Sequence, residues 1–292
     1  MSSATDLASG KGHRDENFPV ASLLIHPRHR AVILDFYRFA RAADDVADSA
    51  SATAAQKLAL LENMRASLTG EGFSDPAAVA LKASLAHHAL DNSHALDLLE
   101  AFRRDVTRLR YDSWDDLMDY CRYSAMPVGR FVLDVHKESR ALWPQSDALC
   151  AALQVINHLQ DCQKDYRELD RVYIPLDRLT QAGLGADVLD RPNAPAALLS
   201  VIRELAQSTA ALLAQSRPFA TAILDGRLGL EVAVIQGLAE DLNLRLLDRD
   251  PLCERVHHRK SEALGLALRA GVHFFAGRIR PKTRPPSFVR QP

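Results

Sequence analysis

Two short segments of the sequence carry oxygen-bearing side chains at helical spacing within otherwise apolar stretches. Asp44 and Asp48 lie four residues apart in the first segment, and Asn157, Asp161 and Asp165 repeat at the same interval in the second. Side chains at i and i+4 share one face of an α-helix, so each segment would present its oxygen atoms together. Carboxylates on a buried helix are costly unless a cation neutralises them. The second segment alone is equally typical of an exposed polar face, but two such segments favour a site for divalent cations with oxygen ligands.

Two helices of this kind, facing each other, would form a site for a polyanion. Their carboxylates would repel one another without cations between them, and bound Mg²⁺ keeps coordination positions for a group such as diphosphate. Arg41 lies one helical turn before Asp44, and Tyr37 lies one turn before Arg41. Arg41 and Arg171 are therefore candidates for binding diphosphate oxygens through paired N–H groups.

The composition predicts a helical, cytoplasmic protein. Of its 292 residues 47% are hydrophobic, only 13 are glycine, and 36 Lys and Arg balance 37 Asp and Glu, which gives no reason to expect nucleic acid as a partner. Its first twenty residues are polar and include acids, unlike a signal peptide, and no apolar run approaches the roughly 20 residues that span a bilayer. The four cysteines show no metal-binding spacing and are expected to be reduced and buried: Cys121, Cys150, Cys162 and Cys253.

Caps, turn formers and apolar periodicity predict one all-α domain over 17–277, with a mobile N-terminal arm over 1–16 and a basic tail over 278–292. A helix should begin at Pro27 and end near Asp48, and the next should lie between the N-cap Thr53 and Gly70. Further helices are expected near 76–90, 93–110, 113–122, 127–138, 146–167, 195–224 (kinked at Pro218), 228–248 and 258–277. The tail contains five cations and no acid, and is either simply flexible or weakly attracted to an anionic membrane.

The two acidic segments resemble the aspartate-rich regions of the squalene/phytoene synthase family. FYRFARAADDVAD (36–48) is similar to the first metal motif and LQVINHLQDCQKDYRELDRVYIP (153–175) to the second, and the resemblance covers most of 17–180. It implies a helical bundle of the isoprenoid-synthase type with a central cavity, and two or three Mg²⁺ ions bound by Asp44, Asp48, Asn157, Asp161 and Asp165. It also implies catalytic roles for Tyr37, Arg41 and Tyr120, and contacts with substrate or diphosphate for Arg41, Ala125, Gly129, Gln154, Arg171 and Tyr173.

Within that family, three stretches are similar to the bacterial subgroup that forms hydroxysqualene: ENFPVAS (16–22), YCRYSAMPVGR (120–130) and NHLQDCQKDY (157–166). Met126 stands where that subgroup usually has Asn, which bears on pocket shape more than on metal chemistry. The resemblance implies ionisation of presqualene diphosphate and capture of the rearranged cation by water, in squalene and hopanoid biosynthesis. It also implies peripheral contact with the inner membrane surface and with other enzymes of that pathway.

Two alternatives remain open from the sequence. One is a head-to-head prenyltransferase that makes presqualene diphosphate or phytoene, and the other is a catalytically silent assembly protein, although the complete set of carboxylates favours an enzyme. Several residues also keep an ordinary structural explanation. His136 is either a polar group near the pocket or a core or surface histidine, and Phe274 and Phe275 either line the cavity or only pack in the core.

Overall fold

The computed structural model describes residues 25–72 and 74–279, and within these ranges the only β-type pairing is an isolated bridge between Arg110 and Val172. The all-α prediction is confirmed. The helices are α1 (Pro27–Asp48), α2 (Ala54–Thr69), α3 (Pro76–His88), α4 (Ser93–Thr107), α5 (Trp114–Ser124), α6 (Met126–Val135), α7 (Trp143–Leu169), α8 (Leu176–Gln181), α9 (Ala196–Ser216), α10 (Phe219–Ala222), α11 (Gly226–Asp248) and α12 (Lys260–Ile279). The predicted N-terminal arm and most of the basic tail lie outside the described residues.

The ends of the first two helices follow the signals read from the sequence. Pro27 occupies the first turn of α1, where a missing N–H costs nothing. Thr53 and Gln56 form a reciprocal capping box at the start of α2. Gly70 ends α2 with φ of 93°, a left-handed conformation that glycine adopts without strain.

The core consists of two clusters of buried side chains that meet at α6. The first joins α1, α2, α3 and α4 and receives Phe131 and Val135 from α6. The second surrounds α7, which packs against α5, α6, α9 and α11. Phe131 stacks on Phe36 of α1 with ring centroids 3.9 Å apart, so α6 connects the two clusters. This arrangement holds α1 and α7, the helices with the acidic segments, in one framework.

Some details differ from the predicted elements. At Pro218 the expected kink is a break between α9 and α10, because proline has no N–H to donate to a continuing helix. The connection over 171–193 contains the short helix α8 and a turn of 3₁₀-helix at Ala186–Asp190. All four cysteines are free thiols, but the expectation that all are buried holds only for Cys121 and Cys162, because Cys150 is partly exposed and Cys253 is exposed.

One stretch of the described chain, Ala196–Ala222, is long and apolar enough to cross a membrane by length and composition. In the structure its main part, α9, packs against α7 and α11. Its apolar face is buried there, including Leu198, Ile202 and Leu205.

Candidate active site

A polar cleft opens between the C-terminal halves of α1 and α7. Nine of the predicted site residues line it, namely Asp44, Asp48, Tyr120, Gln154, Asn157, Asp161, Asp165, Arg171 and Tyr173. Both helices point their C-terminal ends towards this cleft. Because the carboxyl end of a helix carries partial negative charge, the backbone and the side chains both favour cations here.

Two arginines hold the acidic end of α1. Arg41 donates from Nη1 to Asp44 Oδ2 over 2.6 Å and pairs through Nη2 with Asp45 Oδ1 at 2.9 Å. The buried Arg171 donates from Nη1 to Asp48 Oδ1 over 2.6 Å. Its other nitrogens donate to the carbonyl oxygens of Ala47 and Asp105, both at 3.1 Å. Arg171 therefore ties the segment after α7 to the end of α1 and orients Asp48.

Asp105 of α4 is a cleft residue that the sequence reasoning missed. Its carboxylate accepts hydrogen bonds from the phenols of Tyr120 and Tyr173, at 2.9 Å and 3.0 Å. Burial raises the pKa of Asp105 to about 6, against the opposing effects of Arg171 and the two phenols. Burial also raises the pKa of both tyrosines well above the usual value, so the phenols keep the protons that they donate. A sequence signal existed, because Asp105 follows Leu98 and Ala101 on the buried face of α4.

His158 is another cleft residue that the sequence reasoning missed. It stacks on Tyr173 with ring centroids 3.5 Å apart, and its Nε2 lies 3.0 Å from Gln154 Nε2. Burial, followed by the charge of Arg171, lowers the pKa of His158 to about 3, so the ring is neutral at ordinary pH. With Tyr120 and Tyr111 it completes an aromatic cluster beside the acids, the ring centroids of Tyr111 and Tyr120 lying 5.0 Å apart.

The carboxylates of the cleft repel one another. Burial and the neighbouring charges of Asp161 and Asp48 together raise the pKa of Asp165 to about 7, against the opposing charge of Arg171. Burial and then the charge of Asp48 likewise raise the pKa of Asp44. Divalent cations bound between these oxygens would relieve the repulsion, and the donor set of four carboxylates and an amide suits a hard ion such as Mg²⁺. The residues present therefore fit the predicted metal.

An apolar cavity of about 270 Å³ lies next to the cleft and uses the other halves of the same helices. On α1 its walls include Ile33, Phe36, Tyr37 and Ala40, and on α7 they include Leu149, Cys150 and Leu153. On α1 the cavity lining ends at Ala40 and the cleft lining begins one turn later at Asp44. On α7 the cavity lining ends at Leu153 and the cleft lining begins at Gln154. A diphosphate in the cleft would thus leave an attached hydrocarbon chain facing the cavity.

Three other predicted residues are not part of the cleft lining. Tyr37 and Gly129 line the apolar cavity, and Ala125 is buried where α5 meets α6. A Cβ atom at Gly129 would clash with Ser146 Oγ and lie 2.6 Å from Cys150 Sγ, so this glycine allows α6 and α7 to approach closely. Phe274 is buried in the core, whereas Phe275 is 56% exposed and serves neither expected role.

Comparisons with known proteins agree on one family. The family model for squalene/phytoene synthase matches residues 12–262. A hydroxysqualene synthase of Zymomonas mobilis is 60% identical over 278 residues, which is 94% of this chain and 92% of that protein. A hydroxysqualene synthase of Rhodopseudomonas palustris is 55% identical over 90% of each chain. The crystal structure of squalene synthase HpnC from Alicyclobacillus acidocaldarius superposes with a TM-score of 0.70 at 33% identity, over 83% of this chain and 91% of that one.

Proposed function

This chain belongs to the squalene/phytoene synthase family, and we propose that within it the chain is an Mg²⁺-dependent hydroxysqualene synthase, acting on presqualene diphosphate and water. The C–O bond to the diphosphate breaks, the resulting cation rearranges, and a water oxygen bonds to carbon and loses a proton. The products are hydroxysqualene and diphosphate. The observation that carries this proposal is that an acidic cleft and an apolar cavity are lined by successive parts of the same two helices.

The proposed metal ligands are the oxygen-bearing side chains of the two helices: Asp44 and Asp48 on α1, and Asn157, Asp161 and Asp165 on α7. Mg²⁺ bound there would neutralise the charge that develops on the leaving diphosphate. Arg41 and Arg171 orient Asp44 and Asp48 through the ion pairs described above. We further propose that both guanidinium groups donate hydrogen bonds to oxygen atoms of the diphosphate.

The chain's own residues control the cation that forms. The neutral rings of Tyr120, Tyr173 and His158 present π faces next to the acids, and such faces attract positive charge. Asp105 fixes the two phenols by accepting both hydrogen bonds, so it acts as a positioning residue. The apolar walls of the cavity keep bulk water from the cation, so that it rearranges before one water molecule captures it.

The test is a paired substrate assay on the purified protein. Presqualene diphosphate with Mg²⁺ and without NADPH should yield hydroxysqualene and an equal amount of diphosphate. Farnesyl diphosphate alone should yield neither presqualene diphosphate nor phytoene. Condensation of farnesyl diphosphate without formation of hydroxysqualene would instead identify a head-to-head prenyltransferase, and no product from either substrate would favour an assembly protein.

We also propose that the enzyme is cytoplasmic and that α12 attaches it weakly to an anionic membrane surface, where its apolar substrate and the pathway enzyme that supplies it would be found. The apolar residues Leu264, Leu268, Val272 and Phe275 are each at least 56% exposed and follow one stripe of the helix. The sequence that follows contains Arg280, Lys282, Arg284 and Arg290 without an acid. An apolar stripe next to a basic segment is typical of helices that bind the membrane interface.

Sedimentation with lipid vesicles tests this attachment. The protein should pellet with vesicles that contain anionic phosphatidylglycerol and much less with neutral phosphatidylcholine vesicles. Replacing Leu268 and Val272 together by Gln should abolish the difference, whereas Val79→Gln, an exposed apolar position on α3, should not. Equal binding of both variants to anionic vesicles would exclude α12 as the attachment.

A further inference from the structure

A second cluster of metal-ligating side chains lies outside the acidic cleft. His29 is on α1, His136 caps the end of α6, and Asp225 caps the start of α11. One ligand atom from each of the three lies within 4.8 Å of the other two. In the described part of the chain, the carboxylates of the cleft do not converge to that extent. Three segments that are distant in sequence are thus brought together at one point.

His136 is fixed in the orientation that a ligand needs. Its Nδ1 lies 2.8 Å from the carbonyl oxygen of Val132, which can only accept, so Nδ1 carries the proton and Nε2 has a free lone pair. Nε2 is buried and has no hydrogen-bond partner among the described residues. A histidine held by a backbone carbonyl through one nitrogen is the usual arrangement of a metal ligand that binds through the other.

Asp225 is held against this histidine by a neighbouring acid. Glu138, two residues after His136, is buried and accepts the backbone N–H groups of Leu224 and Asp225 at 3.0 Å and 2.7 Å. Among the described residues, the carboxylate of Asp225 accepts hydrogen bonds only through Oδ1, from the N–H groups of Arg227 and Leu228. Oδ2 therefore remains available to a ligand, and the segment that carries it is anchored to the end of α6.

His29 is the third proposed ligand, and the side chain of Arg28 competes for its Nε2 atom. Its ring is buried, and its centroid lies 4.3 Å from that of His136. Arg28 Nε donates to His29 Nε2 over 2.8 Å. Arg28 is exposed, so its side chain can move into solvent and release this nitrogen.

We propose that His29, His136 and Asp225 bind a divalent transition metal, with Zn²⁺ the ion that two imidazoles and a carboxylate suit best. This site is separate from the Mg²⁺ site of the cleft. Each ligand lies three or four residues from a wall residue of the apolar cavity, namely Ile33, Val132 and Leu228. On α1 the cavity lies between His29 and the acids. The metal therefore connects α1, α6 and α11 beyond the end of the cavity that is remote from the cleft, and its role is structural.

Metal binding to the full chain, purified without a histidine tag and stripped with chelator, tests the proposal. With excess Mg²⁺ present to occupy the cleft, titration with Zn²⁺ should give one site per chain, and Zn²⁺ should raise the thermal midpoint. Co²⁺ in its place should give visible absorption bands from nitrogen and oxygen coordination. His136→Asn should weaken Zn²⁺ binding at least about 10-fold and remove the thermal shift. His87→Asn, on the exposed part of α3, should change neither value.

Arg28→Ala gives an independent measurement that leaves the three ligands in place. Because it removes the group that competes for His29, this variant should bind Zn²⁺ more tightly than the unchanged protein. Absence of Zn²⁺ binding in excess Mg²⁺, or equal affinity of the unchanged chain and His136→Asn, would overturn the proposal. Weaker binding by Arg28→Ala would overturn the assignment of His29 as a ligand.

Discussion

The acidic cleft and the apolar cavity are built from the same two helices, yet they depend on different physical effects. Along α1 and α7 the earlier residues line the cavity and the later ones line the cleft. Cavity residues are apolar and fill space, so they stabilise the fold. The carboxylates of the cleft are like charges held close together, and this repulsion adds to burial in raising the pKa of Asp44 and Asp165. The proposed chemistry therefore lies among charges that oppose folding, about one helical turn along α1 from apolar side chains that favour it.

Substitutions in the cavity and in the cleft should therefore change different properties of the protein. Removing a cavity side chain should cost stability, because close packing and buried apolar area are lost. Removing a cleft carboxylate should cost turnover and little stability, because it also removes repulsion. A cavity substitution that left stability unchanged, or a cleft substitution that left turnover unchanged, would weaken this contrast.

Phe131→Ala should give the largest effect, on the cavity side. Phe131 is 1% exposed, lines the cavity and stacks on Phe36. Its loss should lower the free energy of unfolding by about 3–5 kcal/mol, measured by chemical denaturation. Phe131→Leu, which keeps most of the volume, should cost less than about 1.5 kcal/mol. Equal losses in the two variants would mean that packing at this position does not hold α6 to α1.

Asp161→Asn should give the largest effect on the cleft side. Loss of one oxygen ligand should lower kcat with presqualene diphosphate about 100- to 1,000-fold and raise the Mg²⁺ concentration needed for half-maximal rate. The thermal midpoint without metal should stay the same or rise, because the charge that raises the pKa of Asp165 is gone. Asp187→Asn, on the exposed surface, is the matched control. Unchanged turnover and Mg²⁺ dependence in Asp161→Asn would refute the metal site.

Asp105→Asn should lower both stability and turnover, because this acid is buried in the cleft. An amide can accept one phenol through its oxygen, but its NH₂ group cannot accept the other. The free energy of unfolding should fall by about 1–3 kcal/mol at neutral pH. Turnover should also fall, while the Mg²⁺ requirement stays the same. A loss of stability with normal turnover would reduce Asp105 to a purely structural role.

The pH dependence of stability offers a second measurement on the same variant. The folded protein holds the Asp105 proton up to about pH 6, whereas the unfolded chain releases it near pH 3.8. Between these values the folded state binds more protons, so this group lowers the free energy of unfolding as pH rises. Asp105→Asn should therefore lose less stability than the unchanged chain between pH 4 and pH 6. Parallel curves would contradict the raised pKa.

Thr53→Ala should give the smallest effect, because Thr53 belongs to neither region. It removes one half of the capping box of α2 and should cost about 0.5–2 kcal/mol of stability. The kcat and the Mg²⁺ requirement should not change. A large loss of turnover would indicate that α2 helps to position the cleft, and the separation of the two regions would then need revision.

The sequence was sufficient to group the acidic side chains of each segment, because they follow one helix face at a fixed spacing. Asp44 with Asp48, and Asn157 with Asp161 and Asp165, needed only the periodicity of α1 and α7 to be recognised. Asp105 was missed because its partners, Tyr120 and Tyr173, come from α5 and from the segment after α7, and no local spacing relates them. His158 was missed for a similar reason, since its stacking on Tyr173 is a tertiary contact.

Helix boundaries were predicted well wherever a cap or a turn residue fixed them, as at Pro27, Thr53 and Gly70. They were less accurate where tertiary contacts decide. The fourth helix was expected to reach residue 110, but α4 ends at Thr107, and Arg110 instead forms a bridge with Val172. The cluster of His29, His136 and Asp225 likewise could not be foreseen, because packing alone brings its three segments together.

The most direct test of the central claim is to follow the oxygen atom in the proposed reaction. Purified protein is incubated with presqualene diphosphate and Mg²⁺ in water enriched in ¹⁸O, and the products are examined by mass spectrometry. If the cleft breaks the C–O bond and the cavity admits one water molecule, hydroxysqualene should carry the ¹⁸O label and the diphosphate should not. An unlabelled alcohol released with labelled diphosphate would show that a P–O bond breaks instead, and would contradict ionisation at the junction of cleft and cavity.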